Sequence, residues 1–146
     1  MLELRFENQE FLQELENSDI RRAFELDLTS IKLYEYYANC FSDGILKDIL
    51  NAKKQLNQLL ISDNNALLVE CSLNDAYLLL LAKEFEIVQA YKIAANVCKD
   101  EKLKDLIFRL WASSVNEYQV ALRKSLATNE FNVDSLVSNF LKDILK

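Results

Sequence analysis

The chain has 146 residues, 51% of them hydrophobic, with no Pro, no His, a single Gly at Gly44 and a net charge of -6. That length suits one domain burying about two thirds of its unfolded surface, and the scarcity of Gly and Pro excludes turn-rich sheets and phosphate-cradling loops, leaving an all-α fold. The acidic balance argues against nucleic acid. No apolar run approaches the roughly 18 residues of a membrane span, and the acidic start MLELRFENQEFLQELEN is no signal peptide, so a cytoplasmic protein without membrane contact is expected.

In chain order, helical periodicity predicts a short helix over about 8–16, then a long helix from Ser18 or Asp19 to about Phe41. The inward stripe of the long helix is Ile20, Phe24, Asp27, Ile31, Tyr34, Ala38 and Phe41. After a turn at Ser42, Asp43 and Gly44, a second helix carries Leu46, Leu50, Lys53, Asn57 and Leu60 on one face. The stretch from 61 to 72 spans about 40 Å when extended, enough to run the length of a bundle, so both a long crossover and an up-down-up-down path are open. A third helix opens at Ser72, where Ser-Leu-Asn-Asp resembles a capping box, and its stripe is Tyr77, Leu81, Glu84, Val88, Tyr91, Ala95 and Cys98. A fourth begins near Asp100 with Leu103, Ile107, Leu110, Ser114, Glu117 and Ala121 inward, and a last amphipathic helix covers about 132–145.

The second hairpin repeats the first. YEYYANCFSDGILKDIL begins at Tyr34 and YKIAANVCKDEKLKDLI begins at Tyr91, 57 residues later, with seven of 17 positions identical and stripes and turns in phase. The repeated hairpins span about 19–61 and 72–126 of one domain.

Two carboxylates interrupt the apolar stripes. Asp27 and Glu84 are equivalent under the repeat, and each stands seven residues before a Tyr. An unpaired carboxylate in a packed core costs several kcal/mol or takes up a proton, so partners are required. Counting back from the two turns sets Asp27 level with residues near 58 and Glu84 level with residues near 115. One layer is therefore expected to gather Asp27, Asn57, Glu84, Ser114 and Glu117, with Lys53 as a possible counter-charge and Tyr hydroxyls as hydrogen-bond donors.

A carboxylate in an apolar helix, a Tyr seven residues on, and a polar position about 30 residues later, all repeated in a second hairpin, resemble the ferritin-like di-iron carboxylate four-helix bundles. The resemblance runs over about 19–126. It implies two antiparallel hairpins with short extra helices at the ends, and metal ligands at Asp27 and Glu84, with Glu86 as second choice to Glu84. The family's E-x-x-H pairs fall on Asn57-Gln58-Leu59-Leu60, or in another register on Lys53-Lys54-Gln55-Leu56, and on Ser114-Val115-Asn116-Glu117. Both His positions are empty. Iron oxidation chemistry loses its ligand set, whereas oxygen ligands alone suit Mg or Mn.

The expectation is a non-catalytic bundle with no cofactor, acting through protein contacts and pairing as a homodimer. One rival is a carboxylate-only, divalent-metal-binding or oxidoreductase-like protein of the ferritin family that holds an ion such as Mn, Mg or Fe through Asp27, Glu84 and Glu117 with Asn57 and Ser114. A second rival is a small acidic chaperone or adaptor. The remaining candidates read as structure: Tyr34, Tyr36, Tyr37, Trp111 and Tyr118 as packing, Arg21-Arg22 and Lys53-Lys54 as solvated ion pairs, and Cys40, Cys71 and Cys98 as buried reduced thiols. Ser113 and Ser114 have no His base to make a nucleophile.

Overall fold

The computed structural model describes residues 2–4, 13–62, 65–127 and 141. Four long helical stretches dominate: α1 (Ser18–Phe41), α2 (Gly44–Asn57), α3 (Leu73–Val97) and a composite fourth made of α4 (Glu101–Ser113), a π-helical turn (Ser114–Tyr118) and α5 (Gln119–Ala127). Each start is written in a short polar side chain that accepts from the first free backbone N–H groups. Asn17 takes Asp19 N at 2.9 Å, Asp43 takes Leu46 N at 3.0 Å, Ser72 takes Asp75 N at 3.1 Å and Asp100 takes Leu103 N at 2.8 Å. The α1–α2 turn reverses at Ser42, which adopts the left-handed conformation with φ 49°, while Gly44 serves only as the first residue of α2.

The chain path follows from which residues meet. Tyr34 of α1 contacts Glu84 of α3, and Tyr91 contacts Asp27, so residue numbers rise on one helix as they fall on the other. Helices α1 and α3 are antiparallel, and each hairpin is antiparallel within itself, so α2 and α3 run the same way. The link from Gln58 to Ser72 is therefore the long crossover, held to α1 where Tyr37 OH donates to Val69 O at 2.6 Å. Of the two paths open in the sequence, the fold takes this one.

The core is the junction of the stripes. All of Tyr77, Leu81, Glu84, Val88, Tyr91, Ala95 and Cys98 are buried, as are Ile20, Phe24, Asp27, Ile31, Tyr34 and Ala38.

Two local readings change, and two fall mostly outside the described residues. Helix α2 stops at Asn57, and the residues beyond it form a strand, β2 (Leu60–Ser62), antiparallel to β1 (Leu2–Leu4). This small ribbon is an addition to the otherwise helical fold. The short helix over 8–16 lies mostly outside the described residues; its last part, Gln13 and Glu14, is helical and leads into a turn at Leu15 and Glu16. The helix over 132–145 lies outside them too, apart from Leu141, which packs on the core. Of the three free thiols only Cys98 is buried; Cys71 is half-buried and Cys40 is exposed, because Cys40 falls on the outer side of α1, two positions beyond buried Ala38. Among the described residues no helix is long and apolar enough to cross a membrane.

Candidate functional site

Periodicity puts Asp27, Ser30 and Tyr34 on one face of α1, since three- and four-residue steps stack along a helix. The same spacing aligns Glu84 and Tyr91 on α3. Where these faces meet, each half's tyrosine bonds the other half's carboxylate: Tyr34 OH donates to Glu84 Oε2 at 2.8 Å, and Tyr91 OH donates to Asp27 Oδ2. The two contacts exchange under the 57-residue shift.

Into this pair comes Lys53 from α2. Its ammonium lies 2.8 Å from Asp27 Oδ1, 2.8 Å from Glu84 Oε2 and 2.8 Å from Ser30 Oγ. An ammonium has three N–H donors, and all three are used. The Ser30 hydroxyl in turn donates to Asp27 O at 2.6 Å. From the π-helical turn, Ser114 Oγ donates to Glu84 Oε1 at 2.8 Å and accepts from Gln119 Nε2 at 3.2 Å. Aromatic faces complete the cage, with the Tyr34 and Tyr118 ring centroids 5.2 and 5.4 Å from the ammonium. Glu84 has no exposed surface, Asp27 is 4% exposed and Lys53 5%, so these contacts act with little screening from water. Among the described residues no buried side-chain N or O lacks a partner.

Charge sets the protonation states. Burial by itself lowers the Lys53 value, but the charges of Asp27 and Glu84 more than reverse this and hold the ammonium above the ordinary lysine range. Burial, followed by the Glu84 charge, pushes the Tyr34 phenol well above its usual value. Burial and the Asp27 charge do the same for Tyr91. Both phenols thus remain protonated donors at neutral pH.

Of the residues expected in this layer, Asp27, Glu84 and Ser114 come together, and Glu117, Asn57 and Glu86 do not. Glu117 is exposed. The reason is the π-helical turn, whose hydrogen bonds reach one residue further than those of an α-helix. The phase slips by one there, so Tyr118, Gln119 and Leu122 turn inward in place of Glu117 and Ala121. Asn57 is half-buried at the end of α2 and outside the network; Lys53, one turn earlier, has a side chain long enough to cover the 5.4 Å rise and takes the position instead. Glu86 lies on the flank, 3.6 Å from Arg22 and 3.5 Å from Lys83. Lys53 is thus no solvated partner of Lys54, which is exposed. Sequence reasoning passed over Ser30, although its place one turn after Asp27 is a usable signal, and it passed over Gln119, for which the π-helical turn left none.

The donor set does not fit the two-metal centre that the resemblance implies. There is no His in the chain, and among the described residues no three carboxylate or thiol side chains converge. The ammonium stands between the two carboxylates that would have to ligate. What the arrangement does chemically is hold one cation of its own between two anions.

Comparison of the chain with protein-family models, with curated proteins and with solved structures finds no match.

Proposed function

We propose that this chain is a ferritin-like bundle without catalytic activity, acting through protein contacts, in which a lysine ammonium has taken over the place of the metal. The observation that carries the reading is Lys53, with all three donors spent on Asp27, Glu84 and Ser30. The long crossover and the exchanged tyrosine–carboxylate contacts support descent from a duplicated hairpin. A charged side chain buried and saturated in this way holds α1, α2 and α3 in register, and has no free valence for substrate. Metal analysis of protein purified without chelator tests the reading. Far less than one metal per chain is the expected result, and about one equivalent of Fe, Mn or Zn defeats it.

The outer side of α4 supports the protein-contact part. Phe108, Trp111, Ala112 and Val115 stand at positions i, i+3, i+4 and i+7 and border a hollow of about 310 Å³. Four residues at that spacing are what one helix offers to a side chain of another. Phe108 is 45% and Val115 41% exposed. A second copy, α4 against α4, is the partner this proposal names. Sedimentation of the wild type should report a dimer, and Phe108→Glu should shift it to monomer without loss of helicity. A wild-type monomer at all concentrations removes the dimer from the proposal.

A further inference from the structure

Helices α2 and α4 do not close on each other. Between them lies a groove of about 580 Å³, within the size range of small-molecule sites. Its lining is mixed: Leu56 and Leu59 on one side and Leu106 and Leu110 on the other give an apolar strip, Gln55, Gln58 and Ser113 stand among them, and Lys53, Asp27 and Tyr118 form the inner end.

Of the polar side chains that line it, two bear most on what it would hold. Tyr118 is 8% exposed, and its hydroxyl has no hydrogen-bond partner among the described residues. No buried polar atom there is unpartnered, so this hydroxyl is not sealed in and reaches the space of the groove. The π-helical turn is what brings it there, and such turns recur at functional sites. The second group is Arg109, exposed on the α4 wall and in no ion pair among the described residues. Lys53 at the inner end is already neutralised by Asp27 in the lining and by Glu84 buried behind it, which disfavours an anion there and directs it to Arg109 at the mouth.

We propose that this groove binds a small amphiphilic carboxylate, its acid group on Arg109, its apolar body along the four leucines, and a hydrogen-bond acceptor at its inner end on the Tyr118 hydroxyl. The Lys53 network is untouched, so the proposal stands whether or not the bundle also works through protein contacts.

Calorimetric or NMR titration of the full chain with 8-hydroxyoctanoate, octanoate and octylamine tests it. The hydroxy acid should bind most tightly, octanoate less, and octylamine least. Arg109→Gln should weaken both acids about fivefold and leave octylamine unchanged. Tyr118→Phe should bring the hydroxy acid down to the affinity of octanoate. Equal binding of octylamine and octanoate means an apolar crevice only and overturns the proposal. So does unaltered acid binding in Arg109→Gln, a surface change that leaves folding intact, or no saturable binding of the hydroxy acid at about 1 mM.

Discussion

The Lys53 ammonium meets Glu84 at 2.8 Å in a place where Glu84 has no exposed surface, so neither charge can be lost without stranding the other. Removing one partner of a buried ion pair costs about 3–5 kcal/mol, whereas replacing all members with well-packed neutral groups is often neutral or better. Lys53→Met should therefore lower stability at neutral pH by about that amount. Asp27→Asn with Glu84→Gln in the same chain should restore most of the loss. Urea unfolding of the single, double and triple variants gives the coupling. A Lys53→Met protein as stable as wild type would show that the ammonium does not hold the layer.

Alkaline pH should unfold the protein steeply. Lys53, Tyr34 and Tyr91 all hold their protons more tightly in the folded chain than they do ordinarily. Above the unfolded values the native state binds more protons than the unfolded state, so stability declines as pH rises. Their contribution is complete below about pH 10 and lost above it. Each group adds about 1.4 kcal/mol per pH unit to the slope within its window. Urea midpoints measured across that range should fall, and Tyr34→Phe should reduce the slope by about one group's share. Tyrosinate absorbance should appear together with unfolding rather than before it.

The three thiols should react in order of burial. Cys40 is exposed, Cys71 half-buried and Cys98 buried, and burial pushes the Cys98 thiol up, away from the reactive thiolate. A disulfide reagent added to folded protein should titrate Cys40 first, then Cys71, and reach Cys98 only on unfolding. Cys40→Ser should abolish the fast phase. A fast phase that persists in that variant would mean the crossover opens at Cys71.

Much of this arrangement is legible in the sequence, because a three- and four-residue stripe fixes the facing side of a helix for as long as the helix remains α. Asp27, Tyr34, Glu84 and Tyr91 follow from that rule, and the cap at Ser72 follows from the Ser-Leu-Asn-Asp pattern that opens its helix. The rule fails where backbone geometry changes with no change in residue type. Nothing in SVNEY announces a π-helical turn, so Glu117 reads as inward and Tyr118 falls off the inward stripe. Level counting between antiparallel helices locates backbones, whereas Lys53 crosses a whole turn with its side chain. The β1–β2 ribbon pairs Leu2–Leu4 with residues almost 60 positions away, a distance at which no local pattern speaks.

The π-helical turn allows a test in which shortening the chain is tolerated. In an α-helix, deleting one residue rotates everything beyond it by about 100° and turns the core outward. Here the fourth helix already carries one residue too many between Ser114 and Tyr118. Without Asn116, which is exposed, Tyr118 and Leu122 would follow Ser114 at regular α spacing and still point inward. The Asn116 deletion should therefore fold with stability within about 1 kcal/mol of wild type, well under the cost of a core disruption. Deleting Gln89, exposed on α3 between Glu84 and Tyr91, should by contrast swing Tyr91 away from Asp27 and prevent folding. Circular dichroism and urea unfolding of both deletions decide the matter: equal damage from the two would mean that the extra residue is needed where it stands.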